Sequence, residues 1–275
     1  VREAGYALLF CDTAGVAVEH RGDETDASRF KYWGTWLDGV WSEAIEGTNG
    51  IGTCIAEERP ITIHRNQHFR SRHTDLSCSG APVFGVDGRL MAVLDVSAID
   101  PEWSERAHAL TGALTTNSAR AIEERFFRER FPQEWVVAVA PPEGGTAGML
   151  LAVDGNQRIV GANRAARTSL MLDDDWLRTG VSLWTVFERD TALFRRKDAT
   201  DIPTQLVVAD SDETWPALVT PPANGRPAWQ QAESCALHAR PRLDSLATGR
   251  QRWSYPRSRG GLPPGAGCGN TWNFI

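Results

Sequence analysis

Three of the six histidines, His64, His68 and His73, fall within ten residues of one another, and Cys78 follows. Imidazole and thiolate ligate zinc or iron, so H-x3-H-x4-H-x4-C is open to a metal reading. The spacing matches no standard finger, and histidines that line a pocket or hydrogen-bond within a polar loop fit it too. We expect neither a metal nor a cofactor here. Cys54 and Cys78 offer thiols for redox sensing or nucleophilic attack, with Arg72 and His73 near Cys78 in sequence to favour the thiolate. A free cysteine is also simply a small buried hydrophobe. Trp33, Trp36 and Trp41 precede a glycine-rich stretch, Glu46–Thr53. The tryptophans fit an aromatic wall for a ligand or ordinary core packing. The glycine loop reads either as an anion cradle at a helix N-terminus or as a turn that caps the helix. Asp173-Asp174-Asp175 reads as a solvated turn, because consecutive side chains on a helix end diverge. Spacing supports no Ser-His-Asp set and no carboxylate pair, and no catalytic residue is expected.

The chain of 275 residues has room for roughly two domains of 100–150 residues. Its net charge of −6, with only two lysines (Lys31 and Lys197) among 29 basic residues, argues against non-specific nucleic-acid binding by the bulk of the protein. Five cysteines without a CxxC read as reduced thiols. No apolar run is long enough to span a membrane, and Val1-Arg2-Glu3 opens no leader, so the expected location is cytoplasmic.

Tyr6–Cys11 and Val16–His20 flank turn chemistry at Asp12–Gly15 and read as a β-hairpin. Ala81–Val86 and Arg89–Val96 flank Asp87-Gly88, the dipeptide that a tight hairpin turn favours. Between them we expect a short helix from Gly52-Thr53 to Arg59, a strand at Ile61–Ile63 and a long polar loop over 64–80. Asp100 caps and Pro101 opens a helix over 101–131, roughly 45 Å long, which Pro132 stops. Its stripe is Ala107, Leu110, Leu114, Ala121, Ile122 and Phe126, and its solvated face Arg106, Glu123, Glu124 and Arg128. It is longer than a small domain needs and is expected to project. Residues 132–148, with Pro-Pro and Gly-Gly, read as a linker. Strands at Met149–Val153 and Arg158–Gly161, a helix at Asn163–Leu172, an apolar segment at Val181–Phe187 and a strand at Gln205–Ala209 follow. Residues 221–275 read as an unstructured tail. The fold class is α+β.

Residues 41–53, Trp-Ser-Glu-Ala-Ile-Glu-Gly-Thr-Asn-Gly-Ile-Gly-Thr, resemble the GAF domain of activators that govern acetoin and glycerol catabolism. His64, His68-Phe69, Arg72-His73, Leu76–Pro82 and Leu90–Ser97 extend the resemblance, which covers about residues 5–130. It implies an antiparallel sheet flanked by helices and a pocket for a small-molecule effector. Its candidate lining is Trp36, Trp41, Asn49, Thr53 and His64, with His68, Phe69, His73, Cys78 and Ser79. Such regulators commonly continue into an AAA+ ATPase and end in a helix-turn-helix of the Fis type. Here no GxxxxGK[ST] loop occurs. Residues from Met149 resemble instead a smaller PAS-like unit, with Asn163-Arg164-Ala165-Ala166 opening its helix.

The domains expected are therefore a GAF domain at 1–131, a linker at 132–148, a PAS-like domain, incomplete late, at 149–220 and a tail at 221–275. The expectation is the sensory part of a transcriptional regulator, truncated or frame-shifted before its DNA-binding domain. DNA would be met only through that missing domain. The 101–131 helix is expected to pair two copies as a homodimer and to carry the signal. Alternatives are a thiol enzyme of the methionine sulfoxide reductase kind, using Cys54 or Cys78, and a gene remnant without function.

Overall fold

The computed structural model describes residues 5–99, 105–140, 148–190, 193–194, 202–209 and 213–222. The expected tail beyond 222, the Asp100-Pro101 helix start and the Pro-Pro and Gly-Gly stretch lie outside them. Two antiparallel sheets build the fold, each with helices packed against it, in an α+β arrangement.

The first sheet holds β1 (Tyr6–Cys11), β2 (Ala17–Arg21), β3 (Ile61–His64), β4 (Leu76–Phe84) and β5 (Leu90–Ile99) in the order β2-β1-β5-β4-β3. Both expected hairpins form. In the first, Asp12 Oδ1 accepts the N–H groups of Ala14 and Val16 at 2.9 Å each. In the second, Gly88 takes φ +78°, the left-handed region open to glycine. Helices α1 (Ala27–Trp33), α2 (Glu43–Glu46) and α3 (Gly50–Glu57) precede β3. On the α3 side of the sheet, Leu9, Phe30, Trp41, Ile51, Leu76 and Val93 form one buried cluster. On the other side, Phe10, Ala81, Val83 and Leu94 pack against Ala119 and Ile122 of the long helix α4 (Glu105–Arg130).

The expected loop over 64–80 is corrected in its second half. Leu76–Gly80 is the start of β4, paired on both sides, with Ile61↔Gly80 toward β3 and Leu76↔Ile99 toward β5. Both faces of this segment are buried, so small and polar side chains stand where alternation marks a half-buried strand.

The helix stripe is corrected too. Leu110 and Leu114 are 65% and 60% exposed, and Ala121 is exposed with them, whereas Ile122 packs on the sheet. The buried inward positions are His108, Thr115, Ala119 and Phe127. Two of these are polar and bonded locally: His108 Nε2 lies 3.2 Å from Ser79 Oγ, its Nδ1 being buried without a partner, and Thr115 donates to Thr111 O at 2.8 Å. Glu123, expected in solvent, turns inward and accepts the Phe84 N–H at 2.7 Å.

The second sheet runs β10-β11-β6-β7-β8-β9. Its strands are β6 (Trp135–Val139), β7 (Met149–Val153), β8 (Arg158–Ala162), β9 (Val181–Ser182), β10 (Ile202–Val207) and β11 (Thr214–Thr220), with α5 (Arg164–Ser169) and α6 (Asp174–Thr179) between β8 and β9. Strand β6 occupies part of the stretch expected as linker. Trp135, Val137, Met149, Leu151, Ile159, Leu183, Phe187 and Leu206 fill the core on one face. On the other, Phe127 from the last turns of α4 packs with Val136, Leu150 and Ala152. The end of α4 thus outruns the first sheet, as expected, and the second sheet covers it. Asn163 caps α5 by accepting the Ala166 N–H, and Asp173 caps α6 by accepting the Trp176 N–H. The Asp173–Asp175 run is therefore a helix start.

Candidate functional site: a buried polar row on the α3 face

Asn49 fixes the N-terminus of α3. Its Oδ1 accepts the N–H groups of Ile51 (3.0 Å) and Gly52 (2.8 Å), and its Nδ2 donates to Trp41 O (2.9 Å) and Gly47 O (2.8 Å). Two N–H groups of the glycine loop are thereby already occupied by a cap. Thr53 supports the turn, accepting the Asn49 N–H at 3.2 Å and donating to Glu43.

A strap of two short 3-10 turns, Arg65–Gln67 and Ser71–His73, joins β3 to β4. Phe69 lies over Gly47, 70% exposed, and its N–H donates to Thr48 O at 3.1 Å. Beneath it, the Arg72 guanidinium donates to both carboxylate oxygens of buried Glu46, and Arg70 Nε lies 3.9 Å from the same group. These contacts hold the strap over α2 and bury His68 and His73.

His68 Nδ1 lies 2.9 Å from Arg65 O. A carbonyl only accepts, so Nδ1 carries the proton and Nε2 is the acceptor, 3.4 Å from Cys78 Sγ. Ser97 Oγ lies 3.1 Å from the same sulfur and donates to Asp95 Oδ2 at 2.6 Å. Asp95, Ser97, Cys78 and His68 thus form a continuous polar row from the middle of the sheet to the strap. Asp95 Oδ1 is buried without a hydrogen-bond partner, and so is His73 Nδ1. His73 Nε2 accepts from Arg72 Nε at 3.2 Å, and the ring stands 4.9 Å from that of Trp41.

Electrostatics separate these groups. Burial pushes Asp95 up to about 6, against the pull of the Ser97 hydrogen bond. Burial, with the cations Arg72 and Arg70 close by, brings His73 down to about 3. His73 Nε2 is 3.8 Å from Glu46, yet burial first, and then the charge of Arg72, disfavour the protonated ring. Burial and then Asp95 raise the Cys78 thiol well above its ordinary value and take Cys54 to about 12. Protonated, enclosed thiols are poor nucleophiles. Among the described residues no three His, Cys, Asp or Glu side chains are arranged to hold a metal ion.

The expected site residues therefore divide. Trp41, Asn49, Thr53, His68, Phe69, His73 and Cys78 gather around α3 and the strap. His64 and Ser79 face α4: His64 Nδ1 lies 2.8 Å from Ser77 Oγ, and the His64 and His108 rings are 6.0 Å apart. Trp36 stacks on His20 at 3.8 Å, with Lys31 Nζ 4.6 Å from its ring, and has no ring contact with the buried histidines. Asp95, Ser97, Glu46 and His108 were not anticipated. Asp95 had a signal, a carboxylate in the middle of the apolar run Leu90–Ile99.

Residues 2–122 match the sequence profile described as the GAF domain. The Acetoin catabolism regulatory protein of Cupriavidus necator is 34% identical over 179 residues, 62% of this chain and 26% of that protein. The Acetoin dehydrogenase operon transcriptional activator AcoR of Bacillus subtilis is 26% identical over 193 residues, 69% of this chain and 30% of that protein. The chain thus spans between a quarter and a third of the length of these relatives. Among solved structures, the E. coli DhaR(N)–DhaL complex aligns over 79% of each chain at 14% identity, with a TM-score of 0.36.

Proposed function

We propose that this chain, a GAF-domain protein related to bacterial acetoin-type regulators, is the part that senses a small molecule. The effector binds on the α3 face, between the strap and the polar row. One observation carries this reading: Asp95 Oδ1 and His73 Nδ1 are both buried on that face without a partner. Buried polar groups are nearly always hydrogen-bonded, and an exception calls for a cause. A ligand hydroxyl donating to Asp95 and a ligand oxygen accepting from His73 Nδ1 would supply both bonds. A compact metabolite carrying a hydroxyl and a carbonyl, such as the acetoin in the names of two relatives, fits that pair of groups.

Movement of the strap and α3 then reaches α4, whose far end packs on the second sheet through Phe127. We read that second unit as PAS-like, from its strand-strand-helix order and the Asn163 cap. Two copies pair through the outward face of α4, where Leu110 and Leu114 are exposed. DNA is contacted through a domain other than those described. Among the described residues no helix is long and apolar enough to cross a membrane.

Thermal unfolding with added acetoin, beside native mass spectrometry of co-purified molecules, tests the site. A ligand that binds only the native state raises the melting temperature as its concentration rises. The expected result is a saturable rise that Asp95→Ala and His73→Phe abolish. A rise that persists in both variants would place binding elsewhere. No rise, with no co-purified molecule, would remove the sensing role.

A further inference from the structure

Arg164 opens α5 of the second unit and reaches three separate parts of the first. Its Nη1 lies 2.7 Å from Glu58 Oε2 and 3.2 Å from Gly88 O, and its guanidinium carbon stands 4.2 Å from the centre of the Phe84 ring. These partners belong to different elements. Glu58 is the residue in left-handed conformation, φ 48°, that ends α3. Phe84 closes β4, and Gly88 turns the β4–β5 hairpin. A side chain on Gly88 would lie 3.1 Å from Arg167 Cδ and 3.6 Å from Arg164 Cα, so the turn sits directly beneath α5.

Arg164 is equally tied to the second sheet. The preceding Asn163 accepts the Leu150 N–H and donates to Gly148 O, both at 3.0 Å, while capping α5. A shift of Arg164 is therefore a shift of β7. Beside it, between α4, the end of β4 and α5, lies a cavity of about 470 Å³ bordered by Pro60, Pro82, Phe84, Arg120, Leu150 and Thr168. The α4 connection runs through Phe127 and Phe131 on Val136 and Leu150 and through Arg128 donating to Thr220 of β11, and Glu123 of α4 also feels the charge of Arg164.

We propose that Arg164 is a clasp that carries displacement of α3 and the β4–β5 hairpin directly into the second sheet, by a route additional to the packing of α4. The clasp needs no ligand to operate; only the origin of the displacement rests on the effector site proposed above. The pair is partly exposed, at 42% for both side chains, and such pairs are weak enough to open and close reversibly.

Hydrogen exchange on the ligand-free full chain tests it. Asn49→Ala loosens α3 at its N-terminus, and Asn49→Ser does so more mildly should the first variant fold poorly. Either change is expected to speed exchange in α3 and also in α5 and β7, the latter about two- to fivefold, as fits an exposed ion pair. In an Arg164→Met background, which keeps the apolar stem, the α3 effect is expected to remain and the α5 and β7 effect to vanish. Glu58→Arg combined with Arg164→Glu is expected to restore it. If α5 and β7 respond equally with Arg164→Met, or never respond to the α3 change, the clasp is wrong. Either outcome leaves the effector reading standing, because no effector is present.

Discussion

Gly50 and Gly80 meet backbone to backbone: a Cβ on Gly80 would lie 2.3 Å from the Gly50 carbonyl oxygen, and one on Gly50 would lie 2.6 Å from Cys78 Cβ. Helix α3 therefore rests directly on β4, which brings its capped N-terminus against Cys78 and Asp95. Gly80→Ala must push the helix away from the strand. We expect a loss of about 1–3 kcal/mol, as for other overpacked interiors. It should appear as a lower urea midpoint at unchanged slope. An unchanged midpoint would mean that the helix is not held this close.

Asp95 and His73 give opposite pH dependences. With Asp95 raised from 3.8 to about 6, the native state holds this proton more tightly than the unfolded chain. Its stabilising contribution is present below about pH 4 and lost as the pH rises through 6. With His73 lowered from 6.5 to about 3, the native state resists protonation, and stability is lost as the pH falls from 6.5 toward 3. Asp95→Asn removes the first effect and leaves the second. The variant is expected to gain stability at pH 7, by up to about 3 kcal/mol at 1.36 kcal/mol per unit, with little gain at pH 4. Its stability should fall more steeply in acid than that of the parent. Urea titrations at pH 4, 5.5 and 7 check this; a gain as large at pH 4 as at pH 7 would contradict it.

Leu110 and Leu114 point away from the first sheet, so replacing both with Glu spares the fold. On the proposed pairing, the parent is expected to sediment as a dimer and the variant as a monomer at a few tens of micromolar, with unfolding of the variant chain changed by less than about 0.5 kcal/mol. Ile122 does not test pairing, since it packs on its own sheet. A parent chain already monomeric, or a variant still dimeric, would remove this face as the interface.

Glu46→Gln leaves Arg70 and Arg72 without their shared carboxylate. Both arginines are roughly half exposed, so water moderates the loss to about 1 kcal/mol, below the 3–5 kcal/mol of a fully buried pair. The consequence should be local: amides of residues 65–75 exchange faster, with β1 and β2 unaffected. Unchanged exchange in the strap would show that the clamp does not hold it.

Local chemistry made several elements legible in the sequence. Asp12, Gly15 and Asp87-Gly88 announce hairpins because their turns need those side chains or positive φ, and Asn163 announces a helix because it caps one. Segments buried on two sides were obscure. Residues 76–80 of β4 carry small and polar groups into the interior and so lose the alternation that identifies a strand. Trp135–Val139 is a short apolar run whose partner in β11 lies far along the chain. The site was half legible for a related reason. Neighbours on a strand face opposite ways, so Cys78 joins His68 on one side while Ser79 joins His108 on the other. Closeness in sequence could not separate them. Glu123 misled because its pairing is with a backbone N–H, which no residue pattern records.

The position of β6 inside its sheet has a consequence for how the protein is made. All five strands of the first sheet lie within residues 6–99, so that half can close as soon as they leave the ribosome. Strand β6 follows soon after α4, yet one of its edges waits for β11, where Val139 pairs with Ala217. Until those later residues emerge, Trp135–Val139 presents a bare apolar edge to solvent or to a neighbouring nascent chain, the kind of edge that templates aggregation. The last turns of α4, already folded and carrying Phe127, are the nearest apolar surface available to shelter it. Production of the chain should thus depend more on slow translation or chaperone supply between residues 140 and 215 than on any step in folding the first sheet.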